Sequence, residues 1–360
     1  MERAQRIGAL DGIRCFAVLL VIGVHANILW PTVPKSIVPF KDGGFIGVDI
    51  FFVLSGFLIS GLLLNEVQQT GRIRYFRFFA RRVLRLLPPL LISMAFTLIW
   101  AINQGDDLQV YLKAVYAAMF NYANWFVLSG SLIPPQFGPL WSLSVEEQLY
   151  LLLAVIFLIL SKTWLRSRLT AVLFWISLAL IGWSIYSRFA TAAPGWSFEV
   201  WQRLYFRTDH RFGEFFFGVI AQLYKSKHKE VQTRLLKVVQ YPAILVLVYY
   251  ATQMQGDMIF HYRYGSPILS LASACVILSS TYEESPISRF FSRRVFVSIG
   301  RISYSMYLIH IPIFYALGSL SLTGPYKISM AMVFIFLYSI AVYFAVEKPL
   351  GKFRQKYLSA

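Results

Sequence analysis

Charged residues are scarce in this 360-residue sequence, at 14% of the chain against about 25% in soluble globular domains. Acids are especially few: 17 Asp and Glu stand against 34 Lys and Arg, a formal net charge of +17. Only two cysteines are present, Cys15 and Cys275, both in apolar segments. With no CxxC spacing and no Cys/His cluster, a disulfide framework and a zinc site are not expected, nor any other metal. There is no internal repeat, low-complexity tract or appended soluble domain, so residues 1–360 read as a single transmembrane domain. A cleavable signal peptide is not expected either. The first apolar run carries Asp11, Arg14 and His25, and no small-residue cleavage site follows it.

What the sequence has instead is apolar length, with 57% of its residues hydrophobic. One soluble core could not hide that much apolar surface, whereas a bilayer can. The basic excess raises nucleic acid as a partner, but a nucleic-acid reader clusters its bases on a polar domain. Here they sit in short runs between long apolar segments, as membrane topology predicts.

Stretches long enough to span a bilayer, roughly 17–25 residues, fall at 10–30, 45–65, 86–103, 141–161, 169–189, 238–254, 295–318 and 327–347. Weaker ones fall at 209–224 and 266–281. Segment 111–128 is apolar but interrupted by Lys113, Asn121 and Asn124. The positive-inside rule decides its role. If it does not span, 25 of the 34 Lys and Arg lie on the cytoplasmic side and 9 outside. The inner residues then include Arg14, Arg301 and the runs Arg3 and Arg6, Arg72 to Arg85, Lys162 to Arg168, Lys225 to Lys237 and Lys348 to Lys356. The expected fold is therefore an all-α integral membrane bundle of about ten transmembrane helices with both termini cytoplasmic. Segment 111–128 should be re-entrant or lie on the outer face. The long outer segments 104–140 and 190–208 carry Trp125, Trp196 and Trp201, which suit interface anchors and can also stack on sugar rings.

Ionisable residues inside a membrane are costly and mark function by default. The first span carries three. At about 100° and 1.5 Å per residue, Arg14 and His25 lie about 20° apart around the axis and about 16 Å apart along it. Asp11 is within about 60° of Arg14. One helix face thus holds an acid–base pair near the cytoplasm and an imidazole about halfway across. Imidazole suits general-base work because it titrates near neutrality. Arg14 stays protonated and could hold an anionic donor or Asp11.

The run YFRFFARRVLRLLPP reads as a basic amphipathic cytoplasmic helix ended by Pro88 and Pro89. Arg74, Arg77, Arg81 and Arg85 fall within about 80° of arc, opposite Phe76, Phe79, Val83 and Leu87. Such a helix clamps to anionic headgroups. Its guanidinium forks also suit phosphates, of which coenzyme A carries several. Asp49, Glu146, Glu147, Asp209, Arg211 and His310 complete the ionisable set in apolar surroundings, each open to a capping, ion-pairing or functional role. Glu347 sits at a helix end, where a structural role fits.

The motifs LDGIRCFAVLLVIGVH, GVDIFFVLSGFLIS, RRVLRLLPP, LWSLSVEEQLYLL, RTDHR and ISYSMYLIH occur in that order. Together the sequence resembles the membrane acyltransferase-3 family, of the O-antigen acetylase type, along essentially the whole chain. The resemblance implies a multi-pass enzyme of the bacterial inner membrane. It would move an acyl group, most often acetyl, from cytoplasmic acyl-CoA to a hydroxyl of a cell-surface polysaccharide or glycolipid. It implies His25 and Arg14 as essential residues, Arg82 and Arg85 near the donor with Arg81 beside them, and a role for Glu146. Two features depart from the family. Members with a C-terminal esterase-like domain are longer, and Glu214 with Phe215, Phe216 and Phe217 replaces the smaller residues expected after RTDHR.

The expected mechanism is direct transfer with acetyl-CoA as co-substrate and no metal. Arg14 and the basic helix hold the phosphates, and His25 takes the acceptor's proton. Glu146 and Asp11 assist, and Asp49, Asp209, Arg211 and His310 contact the acceptor. Cys15 sits about 100° around the helix from Arg14, a poor place for an acyl-enzyme. Membrane lipids and a glycan or glycolipid are the expected partners. The alternatives are a small-molecule or lipid-linked sugar acceptor, or a proton-coupled transporter or flippase, since intramembrane Asp, Arg and His also build proton relays. No paired halves with matching broken helices are evident, which weighs against a transporter.

Overall fold

A computed structural model describes residues 7–38, 40, 42–162, 164–228, 233–253 and 260–357. Arg3, Arg6 and Lys229, which entered the topology argument, lie outside the described residues. The described chain is helical throughout, with no strand. Its α-helices are α1 (Gly8–Leu29), α2 (Ile46–Thr70), α3 (Tyr75–Gln104), α4 (Leu108–Met119) and α5 (Ala123–Leu128). Next come α6 (Leu140–Lys162), α7 (Leu169–Ala192), α8 (Phe198–Phe206), α9 (Phe212–Lys227) and α10 (Arg234–Gln253). The last five are α11 (Ser266–Ser279), α12 (Pro286–Phe291), α13 (Arg294–Gly318), α14 (Gly324–Val342) and α15 (Lys348–Tyr357).

Seven helical stretches among the described residues are long and apolar enough to cross a membrane: Gly8–Leu29, Ile46–Thr70, Tyr75–Gln104, Pro135–Lys162, Arg166–Ala192, Arg234–Gln253 and Gly324–Tyr357. They coincide with seven of the ten spans read from the sequence. The other three fall on α9, α11 and α13. Helix α9 has 16 residues and α11 has 14, short of the roughly 20 that a straight crossing takes. Helix α13 has 25 residues but carries Arg294, Arg301 and His310 among them. Segment 111–128 is two short helices, α4 and α5, neither long enough to cross. The outward apolar side chains of the spans, such as Leu91 and Ile99 on α3, Trp175 on α7 and Leu337 on α14, suit contact with lipid. Helices satisfy their own backbone groups and so tolerate that contact. The protein is a multi-pass helical membrane protein.

One expectation is corrected. Pro88 and Pro89 do not end the basic helix, because α3 runs unbroken from Tyr75 to Gln104 with both prolines inside it. Each proline lacks one donor, and in a membrane helix neighbouring side chains can meet the backbone groups this affects. On the turn that carries the prolines, the Tyr304 hydroxyl of α13 also donates to the carbonyl of Leu86 at 2.9 Å, a contact that ties the two helices together there. The arginine run is therefore the first part of an apolar span rather than a separate surface helix.

The chain divides into two compact units. The first comprises residues 1–24, 40–73 and 145–301. Its centre is the pair α2 and α9, which meet backbone to backbone. A Cβ on Gly56 would overlap the Phe215 carbonyl, and one on Gly218 would overlap that of Val53. Small residues on both helices permit this approach, the common device of membrane helix pairs. Helices α1 and α11 add Leu10, Ala17, Leu269 and Ile277 to the same buried core.

The second unit comprises residues 25–39, 74–144 and 302–360. Its core joins Met94 and Ala101 of α3, Tyr111, Ala114 and Ala118 of α4, Phe137, Leu140 and Leu308. Ser93 donates to the Leu308 carbonyl at 3.1 Å. The Tyr307 hydroxyl reaches the Pro139 carbonyl at 3.0 Å and the Ser142 hydroxyl at 2.6 Å. Asp107 caps α4 by accepting from the Gln109 amide at 2.9 Å. Together these contacts fix α13 around His310.

Candidate functional site

In the second unit, His25 and His310 face each other. Their ring centroids are 5.0 Å apart, with His25 Nδ1 3.2 Å from His310 Nε2. His310 is fully buried, and its Nδ1 lies 2.7 Å from the Tyr307 carbonyl oxygen one turn back on α13. A carbonyl only accepts, so His310 Nδ1 carries the proton and donates. A buried imidazole with no carboxylate among its described partners is neutral, since an unpaired buried charge is costly. His310 Nε2 is then the acceptor, and His25 Nδ1 must donate to it. When His25 is neutral, its lone pair therefore sits on Nε2. The hydrogen-bond network assigns this tautomer, and it is the form a general base needs. The sequence picked out both histidines but gave no sign that they meet.

The basic run on α3 belongs to the same unit. Arg82 and Arg85 are three residues apart and so share a face. Arg81 and Arg82 are half-buried and Arg85 is exposed. The Arg354 guanidinium on α15 donates to the Arg81 carbonyl at 3.2 Å, tying the C-terminal helix to this part of α3.

In the first unit, Arg14 Nη1 donates to Asp11 Oδ1 at 2.9 Å, an i, i+3 ion pair on α1. Asp11 is 1% exposed. Of the roles open to Arg14 in the sequence, holding Asp11 is thus realised. Glu146 on α6 accepts from the hydroxyls of Ser55 on α2 and Tyr150 on its own helix. Both donate to one carboxylate oxygen, which aims this side chain between α2 and α6.

Asp49 and Arg211, read from the sequence as acceptor-binding, are in a buried ion cluster. Arg211 Nη1 donates to Asp49 Oδ1 at 2.9 Å and to Glu214 Oε1 at 3.1 Å. Arg188 donates to the same Glu214 oxygen at 2.5 Å and also reaches Ser266. Two guanidinium groups thus balance two carboxylates, and all four side chains are at most 4% exposed. His261 Nε2 stands 3.6 Å from the other Asp49 oxygen. Tyr205 and Tyr262 ring faces lie 5.2 and 5.7 Å from the Arg211 guanidinium. Asp209 belongs elsewhere: it accepts from Arg207 at 2.9 and 2.8 Å and from Ser187 at 2.9 Å. Arg188 and His261 were not singled out in the sequence. An arginine inside the apolar segment 169–189 was the signal for Arg188. Glu214 was noticed only as a departure; it is the acid that both arginines share.

No described group of three or more His, Cys, Asp or Glu could hold a metal ion. No solved structure matches the chain. The O-acetyltransferase OatA of Staphylococcus aureus strain NCTC 8325 / PS 47 is 30% identical over 371 residues, covering 98% of this chain. OatA of strain MRSA252 matches to the same extent. The chain spans 58% of the length of these relatives. A family model described as an acyltransferase domain matches residues 7–347. The six ordered motifs, the multi-pass helical fold and this match over nearly its whole length agree: the chain belongs to the acyltransferase-3 family.

Proposed function

We propose that this protein is an O-acyltransferase of the bacterial inner membrane that moves an acetyl group from cytoplasmic acetyl-CoA to a hydroxyl of a cell-surface polysaccharide or glycolipid sugar. The observation that carries the proposal is the hydrogen-bond chain from the Tyr307 carbonyl through His310 to His25 Nδ1. It leaves His25 Nε2 as the basic nitrogen. Family membership and the similarity to OatA, an O-acetyltransferase by name, support the choice of reaction.

In the proposed step the sugar oxygen attacks the thioester carbonyl carbon. The hydroxyl proton passes to His25 Nε2 as the new C–O bond forms. The C–S bond breaks, and the coenzyme A thiolate leaves and takes up the proton. Arg82 and Arg85, with Arg81, bind the phosphates of the donor, since guanidinium forks match phosphate oxygens. Asp11 holds Arg14 in place. Glu146, hydrogen-bonded to Ser55 and Tyr150 in the first unit, enters this scheme as a catalytic candidate from the family's motif. Asp49 and Arg211 are structural in this account, because each already neutralises the other. Asp209, held by Arg207 and Ser187, remains a candidate for acceptor contact.

Purified protein in lipid nanodiscs, given labelled acetyl-CoA and de-O-acetylated envelope oligosaccharide, should form alkali-labile acetyl ester on the sugar. Absence of ester in every saccharide fraction would overturn the proposal. Replacing Arg82 and Arg85 together by alanine should raise the acetyl-CoA KM about tenfold or more, since a charge-assisted contact contributes about 1.5–3 kcal/mol. An unchanged KM would make these residues membrane clamps alone.

His310 is a positioning residue in this scheme. His310→Ala should lower kcat about 10–100-fold, with both KM values little changed, as loss of a supporting partner does at other histidine sites. His310→Gln offers an amide oxygen to His25 Nδ1 and should recover part of the rate. Equal losses in both variants would argue against the tautomer role.

A further inference from the structure

A cavity of about 580 Å³ opens in the second unit, where the end of α1 meets the start of α14. That is within the roughly 300–1,000 Å³ of small-molecule sites. Its wall includes Leu29 and Trp30 on one side, with Thr32 beyond them, and Leu322, Thr323 and Lys327 on the other. Leu29 is four residues beyond His25 on the same helix, so it lies one turn further along the same face, about 6 Å on. Aromatic contacts link the two places a second way. His310 is 6.0 Å from Phe314, centroid to centroid, and Phe314 is 4.9 Å from Trp30. The cavity thus lies about one helical turn beyond His25, at the end of α1 remote from Arg14.

Its lining says what would fit. Leu29, Trp30 and Leu322 give apolar surface. Thr32 and Thr323, both exposed, give hydroxyls. The Lys327 ammonium uses one of its three donors on the Gly318 carbonyl at 2.8 Å. No acid is among the described residues that line the cavity, so it offers a cation no carboxylate. One lysine is too little positive charge for a donor with several phosphates. A pyranose ring has an apolar C–H face and a rim of hydroxyls that both give and accept hydrogen bonds, and this mixed lining matches it.

We infer that this cavity is the acceptor subsite, holding one or two sugar units of the glycan so that a hydroxyl reaches His25. The inference rests on the acetyl-transfer function proposed above and adds where the acceptor sits. The cavity floor one turn from His25 sets the distance to the base, and its walls select a saccharide over other alcohols.

The test fills the cavity from opposite walls. Thr323 precedes α14 and makes no side-chain cap, and Thr32 lies in the turn after α1, so a bulky residue at either reaches the cavity without disturbing a helix. Wild type, Thr323→Trp and Thr32→Trp are compared in nanodiscs, with acetyl-CoA and short oligosaccharides cut from de-O-acetylated envelope polysaccharide. Each variant should raise the oligosaccharide KM about tenfold or more, while the acetyl-CoA KM stays within about twofold. Unchanged oligosaccharide KM in both well-folded variants would overturn the assignment. A raised acetyl-CoA KM instead would make the cavity a donor site and also overturn it. If the wild type itself transfers no acetyl, the fault lies with the proposed function, which separates the two failures.

Discussion

Replacing His25 by alanine is expected to lower acetyl transfer by about 10²–10⁴-fold, the usual contribution of a positioned general base. The loss should fall on kcat, because the imidazole acts on the attacking hydroxyl rather than holding either substrate. Folding should survive. His25 is only half-buried, and the change leaves His310 Nε2 without its donor, a cost of about 1–3 kcal/mol for a buried acceptor. Thermal unfolding of the detergent-solubilised variant therefore checks that lost activity is not lost protein. His25→Gln refines the test. Glutamine can donate to His310 Nε2 and so keeps the structural contact, but it cannot accept a proton. It should unfold like wild type and be as inactive as His25→Ala. Substantial transfer by His25→Gln would remove the imidazole from the chemistry and leave the histidine pair a structural contact.

The second large effect is on stability. Arg211→Met should lower the thermal midpoint of the solubilised protein sharply. Removing one partner of a buried ion pair costs about 3–5 kcal/mol because a carboxylate is left uncompensated. Among the described residues, Asp49 would keep His261, 3.6 Å away, while Glu214 would keep Arg188 and Ser266. The double variant Asp49→Asn with Arg211→Met restores charge balance. It should be more stable than Arg211→Met alone, the non-additivity expected of contacting charges. Simple addition of the two losses would contradict a neutralising pair. A normal midpoint with a raised acceptor KM would return Asp49 and Arg211 to the substrate-binding role their sequence context suggested.

Much of the fold was legible because a bilayer imposes length. Seven predicted spans coincide with helices long and apolar enough to cross, and 111–128 was read as non-spanning from Lys113 and its asparagines together with the positive-inside rule. Proline chemistry misled at Pro88 and Pro89, since the rule that prolines end helices is a rule for helices in water. The site was legible residue by residue but not in its pairings. Helical periodicity placed Asp11 and Arg14 together, and the ion pair is there at 2.9 Å. No periodicity links His25 to His310 or Asp49 to Arg211, because those partners are 285 and 162 residues apart in the chain. Charge inside an apolar segment was enough to nominate them, and only the fold could say which charges serve each other.

The central claim is that acetyl ester appears on a glycan because of His25. The most direct measurement is NMR of ester-linked acetate on cell-surface polysaccharide from cells with the intact protein, without it, and with His25→Gln. The account predicts acetate signals with the intact protein, and their loss both without it and with His25→Gln at normal protein levels. Equal acetate in all three, or full acetate with His25→Gln, would contradict it.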